Sequence, residues 1–66
     1  MIKWFDANKF LPGKECGTVL IRCANNNGIY YEIGDYKDSE WFCVGINPIE
    51  NETNHVTHWA FIEEPI

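Results

Sequence analysis

The chain has 66 residues, with ten acidic against five basic side chains and a formal charge of −5. A chain this short buries only about 60% of its unfolded surface, so it has room for one small domain, spanning 1–66, and for no second one. The acidity argues against direct nucleic-acid binding, which draws its affinity from counterions released by Lys and Arg, and no apolar run approaches membrane-spanning length.

In chain order, Ile2-Lys3-Trp4-Phe5 is short, aromatic and β-compatible. Asp6 to Phe10 has the length of one helical turn before Leu11-Pro12, because the residue preceding a proline disfavours the helical region. Two β-rich runs follow, Thr18 to Ala24 and Ile29 to Ile33, around Asn25-Asn26-Asn27-Gly28, which is the pattern of a hairpin. Loop length decides which side chains share a face, since a slip of one residue exchanges the faces. Two- and four-residue loops mix apolar and polar residues on both faces. A three-residue loop, Asn26-Asn27-Gly28, with Gly28 left-handed, sets Val19, Ile21 and Cys23 on one apolar face with Ile29, Tyr31 and Ile33. It also sets Arg22 across from Glu32 as a favourable charge pair. That register is the one the sequence predicts.

The second strand continues to Tyr36, and Lys37-Asp38-Ser39 turns the chain into a third strand, Glu40 to Val44, with Tyr36 opposite Trp41. Phe42 and Val44 then join the Ile29/Tyr31/Ile33 face, and Trp41 and Cys43 join Tyr30 and Tyr36 on the other. The polar stretch from Asn47 to Asn54 reads as a surface loop. The last β-compatible run is Val56 to Ile62, and Glu63-Glu64-Pro65 is a polar stop. The expected fold is therefore mainly β: a three-stranded antiparallel meander, with the terminal segments completing the sheet or the core as edge strands or covers. A small α+β arrangement is the variant with one helical turn.

The order Trp4, Leu11-Pro12, Val19-Leu20-Ile21, Tyr30-Tyr31, Trp41-Phe42, Thr57-His58-Trp59 and the Pro65 tail resembles the family catalogued as domain of unknown function 551. The resemblance covers nearly the whole chain, although the tail after Trp59 departs from the family's pattern. It implies a small protein associated with phages or prophages, and it brings no established chemistry.

The candidate chemistry is sparse. His55 and His58 with Cys16, Cys23 and Cys43 are zinc-type ligands, but no cysteine pair has the two-to-four-residue spacing of structural zinc sites, and the predicted register points Cys23 and Cys43 to opposite faces. Cys16 before Gly17 lacks an electropositive setting that would activate a thiol, as Lys14 and Glu15 offset one another. No phosphate loop, nucleophile elbow or zinc-protease motif occurs. The residues thus point away from an enzyme and imply no cofactor and no metal. Three cysteines without pairing, and no secretion signal at the start, predict a cytoplasmic setting, and the resemblance implies that it is in a bacterial host. Tyr30, Tyr36 and Trp41, with His58, are the candidate binding surface, because aromatic anchors dominate protein interfaces and can stack bases. The expectation favoured over that one is that Trp4 or Trp59 packs over the aromatic trio as a second small core. The leading functional expectation is a non-enzymatic interaction module that inhibits or assists a host or phage protein. The alternatives are a small-ligand or nucleotide-binding domain stacking on an aromatic face, and a structural homo-oligomer, such as a homodimer, joined at a sheet edge.

Overall fold

The computed structural model describes residues 2–13, 17–43 and 48–62. Cys16, Val44 and the Glu63-Glu64-Pro65 tail lie outside the described residues. Five strands, β1 (Phe5–Asp6), β2 (Val19–Asn25), β3 (Gly28–Lys37), β4 (Glu40–Cys43) and β5 (His55–Phe61), form one antiparallel sheet in the order β1-β5-β2-β3-β4. The meander β2-β3-β4 forms as the sequence predicts. The C-terminal run is neither an edge nor a cover, for it enters the sheet between β2 and the two-residue β1. Among the described residues there is no helix, and none is long and apolar enough to cross a membrane.

Local chemistry sets the strand ends. After β1, Asp6 accepts from the backbone N–H groups of Lys9 (3.0 Å) and Phe10 (2.9 Å), while its side chain caps Asn8 N–H at 2.8 Å. The predicted helical turn is thus a single hydrogen-bonded turn, with Ala7 N–H still donating to Thr57 O of β5 at 3.0 Å. Asp38 and Ser39 both have positive φ, 52° and 63°, which is what a two-residue hairpin turn of the primed type demands. Asn51 organises the β4–β5 connection by accepting from Thr53 N–H, Thr53 Oγ1 and Asn54 N–H at 2.8–3.0 Å.

The β2–β3 register differs from the expected one by one residue. Asn25 pairs with Gly28, so the loop is Asn26-Asn27; Ile21 stands opposite Glu32, and Arg22 opposite Tyr31. Gly28 has the positive φ expected of it, 127°, yet belongs to the ladder. Asn25 Oδ1 accepts from Asn27 N–H at 2.8 Å and tightens the shorter loop. The slip joins Val19, Ile21 and Cys23 of β2 to Tyr30 and Tyr36 of β3 and to Trp41 and Cys43 of β4. Cys23 and Cys43 consequently share a face, contrary to the expected arrangement. The slip exchanges Ile29, Tyr31, Ile33 and Phe42 for Tyr30, Tyr36, Trp41 and Cys43 beside the β2 aliphatics, and the large ring it encloses is that of Trp41, 3% exposed.

The covered face holds Val19, Ile21, Cys23, Trp41, Ile49, Val56 and Trp59, with Phe5, Ala7, Tyr30, Tyr36 and Cys43 packed against them. Two connections cover it. Residues 48–49 run along β4, where Ile49 N–H donates to Trp41 O at 2.9 Å, so the expected surface loop carries a buried isoleucine. On the other side Trp59 stacks on Phe5 (4.8 Å between centroids), and its indole N–H donates to Phe10 O at 2.9 Å.

Candidate functional site

The second face of the sheet is only partly covered, by the chain's first residues, and the pairings arrange it in rows. Asp6 (β1), His58 (β5), Arg22 (β2) and Tyr31 (β3) follow one another directly across four strands. On one side of that row lie Ala60, Leu20 and Ile33; on the other, His55, Ala24 and Ile29. Ile29, Tyr31 and Ile33 are 48%, 58% and 47% exposed. The Trp4 ring lies 5.9 Å from that of Tyr31, so the first residues of the chain shield this face rather than the aromatic trio. A shallow apolar depression of about 480 Å³ is lined by Leu20, Tyr31 and Ile33, with Glu32 between the latter two. A neighbouring one of about 240 Å³ shares Leu20 and Ile33 and adds Ile2, Phe61 and Ile62.

A bulge holds the polar centre of this surface in place. The β2–β5 register shifts between Arg22 and Cys23, which leaves Thr57 as the extra residue. Thr57 Oγ1 donates to Arg22 O (3.1 Å) and accepts from Arg22 Nη1 (2.7 Å). It also lies 3.0 Å from His58 Nδ1. A hydroxyl has one proton; with that proton on Arg22 O, the contact requires a proton on Nδ1, and Nε2 is then the acceptor of the neutral ring. The guanidinium is half-buried and fixed through Thr57. Among the described residues no carboxylate is hydrogen-bonded to it.

The sequence-derived set Tyr30, Tyr36, Trp41 and His58 is divided between the faces. Trp41 is 3% exposed in the core, with Tyr36 tilted against it at 4.7 Å. Tyr30 is half-buried beside the Cys23 thiol, its direct cross-strand neighbour. Burial raises the Cys23 thiol and the Tyr30 hydroxyl above their ordinary values, and the hydrogen bond between them favours the thiolate while disfavouring the phenolate. These groups are held protonated, the opposite of an activated nucleophile. His58 alone faces the open side, beside Arg22.

Sequence reasoning missed Arg22 and Tyr31 as site residues because the three-residue loop assigned Arg22 to Glu32 and Tyr31 to the core. The available signal was the polar Arg22 inside the apolar alternation Val19-Ile21-Cys23, which places a cation on the face opposite the core whatever the loop. Among the described residues no group of three or more His, Cys, Asp or Glu side chains could hold a metal ion.

Comparison of the chain with known protein families, with curated proteins and with solved structures finds no match.

Proposed function

We propose that the chain is a non-enzymatic interaction module, phage- or prophage-associated as the family resemblance implies, that engages a host or phage protein through its open sheet face. The observation that carries this reading is the surface of Leu20, Ile29, Tyr31 and Ile33, which keeps three large side chains about half exposed while the other face holds the buried core, with Ala7 and Ile49 packed into it. Contiguous exposed apolar surface on a small domain costs solubility, and it marks interaction sites. The Tyr30/Tyr36/Trp41 stacking platform has less support, because the Trp41 ring is enclosed.

The test is a quantitative pull-down from bacterial lysate with three tagged proteins: the natural chain, Ile33→Glu, and Glu52→Lys as a control on the exposed β4–β5 connection. A stoichiometric partner retained by the control and lost with Ile33→Glu is the expected result. Retention of the same partner by a folded Ile33→Glu protein excludes the open face as the interface.

A further inference from the structure

Ten residues make β3, Gly28–Lys37, but β4 pairs only with Gly34–Lys37. The outer edge of β3 therefore runs on past the end of β4. Its hydrogen-bonding direction follows from the hairpin: Asn25 and Gly28 close a two-residue loop, so Gly28, Tyr30 and Glu32 turn their N–H and C=O groups toward β2, and the residues between them turn theirs away. Ile29 and Tyr31 accordingly present two N–H and two C=O groups outward in the plane of the sheet, and among the described residues no hydrogen bond reaches them. Ile33 adjoins the end of β4, which leaves Gly28–Glu32 as the free stretch. Trp4 packs on the Tyr31 ring from above the sheet and does not occupy that edge. The other edges are blunted, as sheet edges ordinarily are. β1 is two residues long, Ile49 N–H donates to Trp41 O along β4 beside the Phe42–Pro48 bridge, and Glu50 Oε2 caps Val56 N–H at 3.4 Å where β5 extends past β1. The stretch Gly28-Ile29-Tyr30-Tyr31-Glu32 has no proline and no lysine, and Ile29 and Tyr31 are about half exposed.

We propose that this edge pairs, antiparallel, with the same edge of a second copy of the chain, in a symmetric dimer centred on Tyr30; the proposal is independent of the interaction-module reading. The free stretch is symmetric about Tyr30, so two copies related by a two-fold axis there satisfy each other's groups without remainder. Ile29 of each copy bonds Tyr31 of the other in both directions. The two Tyr30 side chains meet as a non-hydrogen-bonded pair, the closer of the two kinds, and Ile29 stands against Tyr31 twice; aromatic–aromatic and aromatic–β-branched pairs are among those that stabilise a ladder. Charge and space fix the register. Centred on Tyr30, each Glu32 faces Gly28 of the other copy, and the two carboxylates are four residues apart along the ladder, about 13–14 Å, beyond the screening length of about 8 Å at physiological ionic strength. Centred on Glu32, the two carboxylates would face each other directly. Centred on Tyr31, Gly28 of the second copy would fall opposite Gly34, a place Cys43 already holds. Paired residues share a face, so the dimer joins the two open faces into one surface of a continuous sheet.

The experiment follows sedimentation and amide hydrogen exchange of the full chain from about 20 µM to about 1 mM, the range suited to an interface of small area. More than half of the chain is expected to be dimeric at the top of that range, with exchange at Ile29 and Tyr31 slowed at least about twofold relative to the bottom, while Tyr30 and Glu32, already bonded to β2, do not change. In a mixture of isotope-labelled and unlabelled chains, contacts between copies are expected at the Tyr30 α-protons, which a non-hydrogen-bonded pair brings together. Ile29→Lys places a cation on the edge and is expected to leave a folded monomer. A chain less than half dimeric at about 1 mM overturns the proposal. So does a dimer in which Ile29 and Tyr31 exchange at unchanged rates or in which the copies touch elsewhere, and so does a folded Ile29→Lys protein that dimerises as tightly as the natural chain. The measurements on the natural chain decide the matter if the variant fails to fold. Loss of a lysate partner by Ile33→Glu reports on the open face and not on this edge, so the two readings fail separately.

Discussion

Replacing Gly34 by alanine places a methyl group where β4 leaves no space. An added Cβ would lie 2.9 Å from the Phe42 carbonyl carbon and 3.0 Å from the Cys43 Cα, with the Phe42 carbonyl oxygen closer still. These are backbone atoms, which cannot swing aside as a side-chain tip can, so β4 has to retreat from β3 at the Gly34–Cys43 pair. Overpacking of this kind costs about 1–3 kcal/mol, and weakening an adjacent ladder hydrogen bond adds about 1 kcal/mol. Alanine restores about 0.4–1 kcal/mol by restricting the unfolded chain. The net loss is about 1–3.5 kcal/mol, against about 3–10 kcal/mol for the stability of a chain of this size. Urea unfolding followed by tryptophan fluorescence reads the loss directly, because Trp41 sits on the displaced strand. Gly34 does not have a positive φ, unlike Gly28, so its penalty is purely steric. A midpoint for Gly34→Ala equivalent to less than about 0.5 kcal/mol of destabilisation would refute the close approach of β4.

Trp41→Ala removes a core indole and is expected to cost about 3–5 kcal/mol, enough to unfold much of the population; circular dichroism that keeps its native form and melting curve would contradict the enclosed position. Ser39 has a left-handed φ of 63°, so Ser39→Gly is expected to raise stability by about 0.5–1 kcal/mol, seen as a higher urea midpoint. Burial raises the Cys23 thiol above 9.0 and the Tyr30 hydroxyl above 10.0, so the folded chain holds both protons more tightly than the unfolded one. Their contribution is present in full below pH 9 and is lost as pH rises through the unfolded values toward the folded ones. Urea midpoints taken from pH 7 to 10.5 are expected to fall at the alkaline end, and Cys23→Ala to soften that fall.

Much of the architecture is legible in the residues. Period-two alternation in Val19-Ile21-Cys23, the turn residues at Asn26-Asn27 and Asp38-Ser39, and the aromatic pair Tyr36 and Trp41 specify the meander and the register of its second hairpin. The first hairpin is a harder case. Tested on its two strands alone, the three-residue loop gives a cleaner apolar face and a satisfied Arg22–Glu32 pair. The folded chain forgoes both, because residues 48–49 and β5 supply a covered side on which Trp41 and Trp59 are buried with the β2 aliphatics and Tyr30 and Tyr36 are packed against them.

The same comparison separates the candidate site into two parts. The sequence by itself determined that Arg22 lies opposite the core-facing residues of β2, since neighbours on a strand point to opposite sides. It likewise determined that the chain is mainly β, with aromatic side chains enough to fill a small core. Only the tertiary structure decided what surrounds Arg22. The insertion of β5 beside β2 brings Thr57 and His58 to it across 35 and 36 positions of sequence, and the bulge at Thr57 turns a hydroxyl onto its guanidinium. Pairings of that separation are set by the burial that the whole sheet achieves, and no local pattern of residues records them.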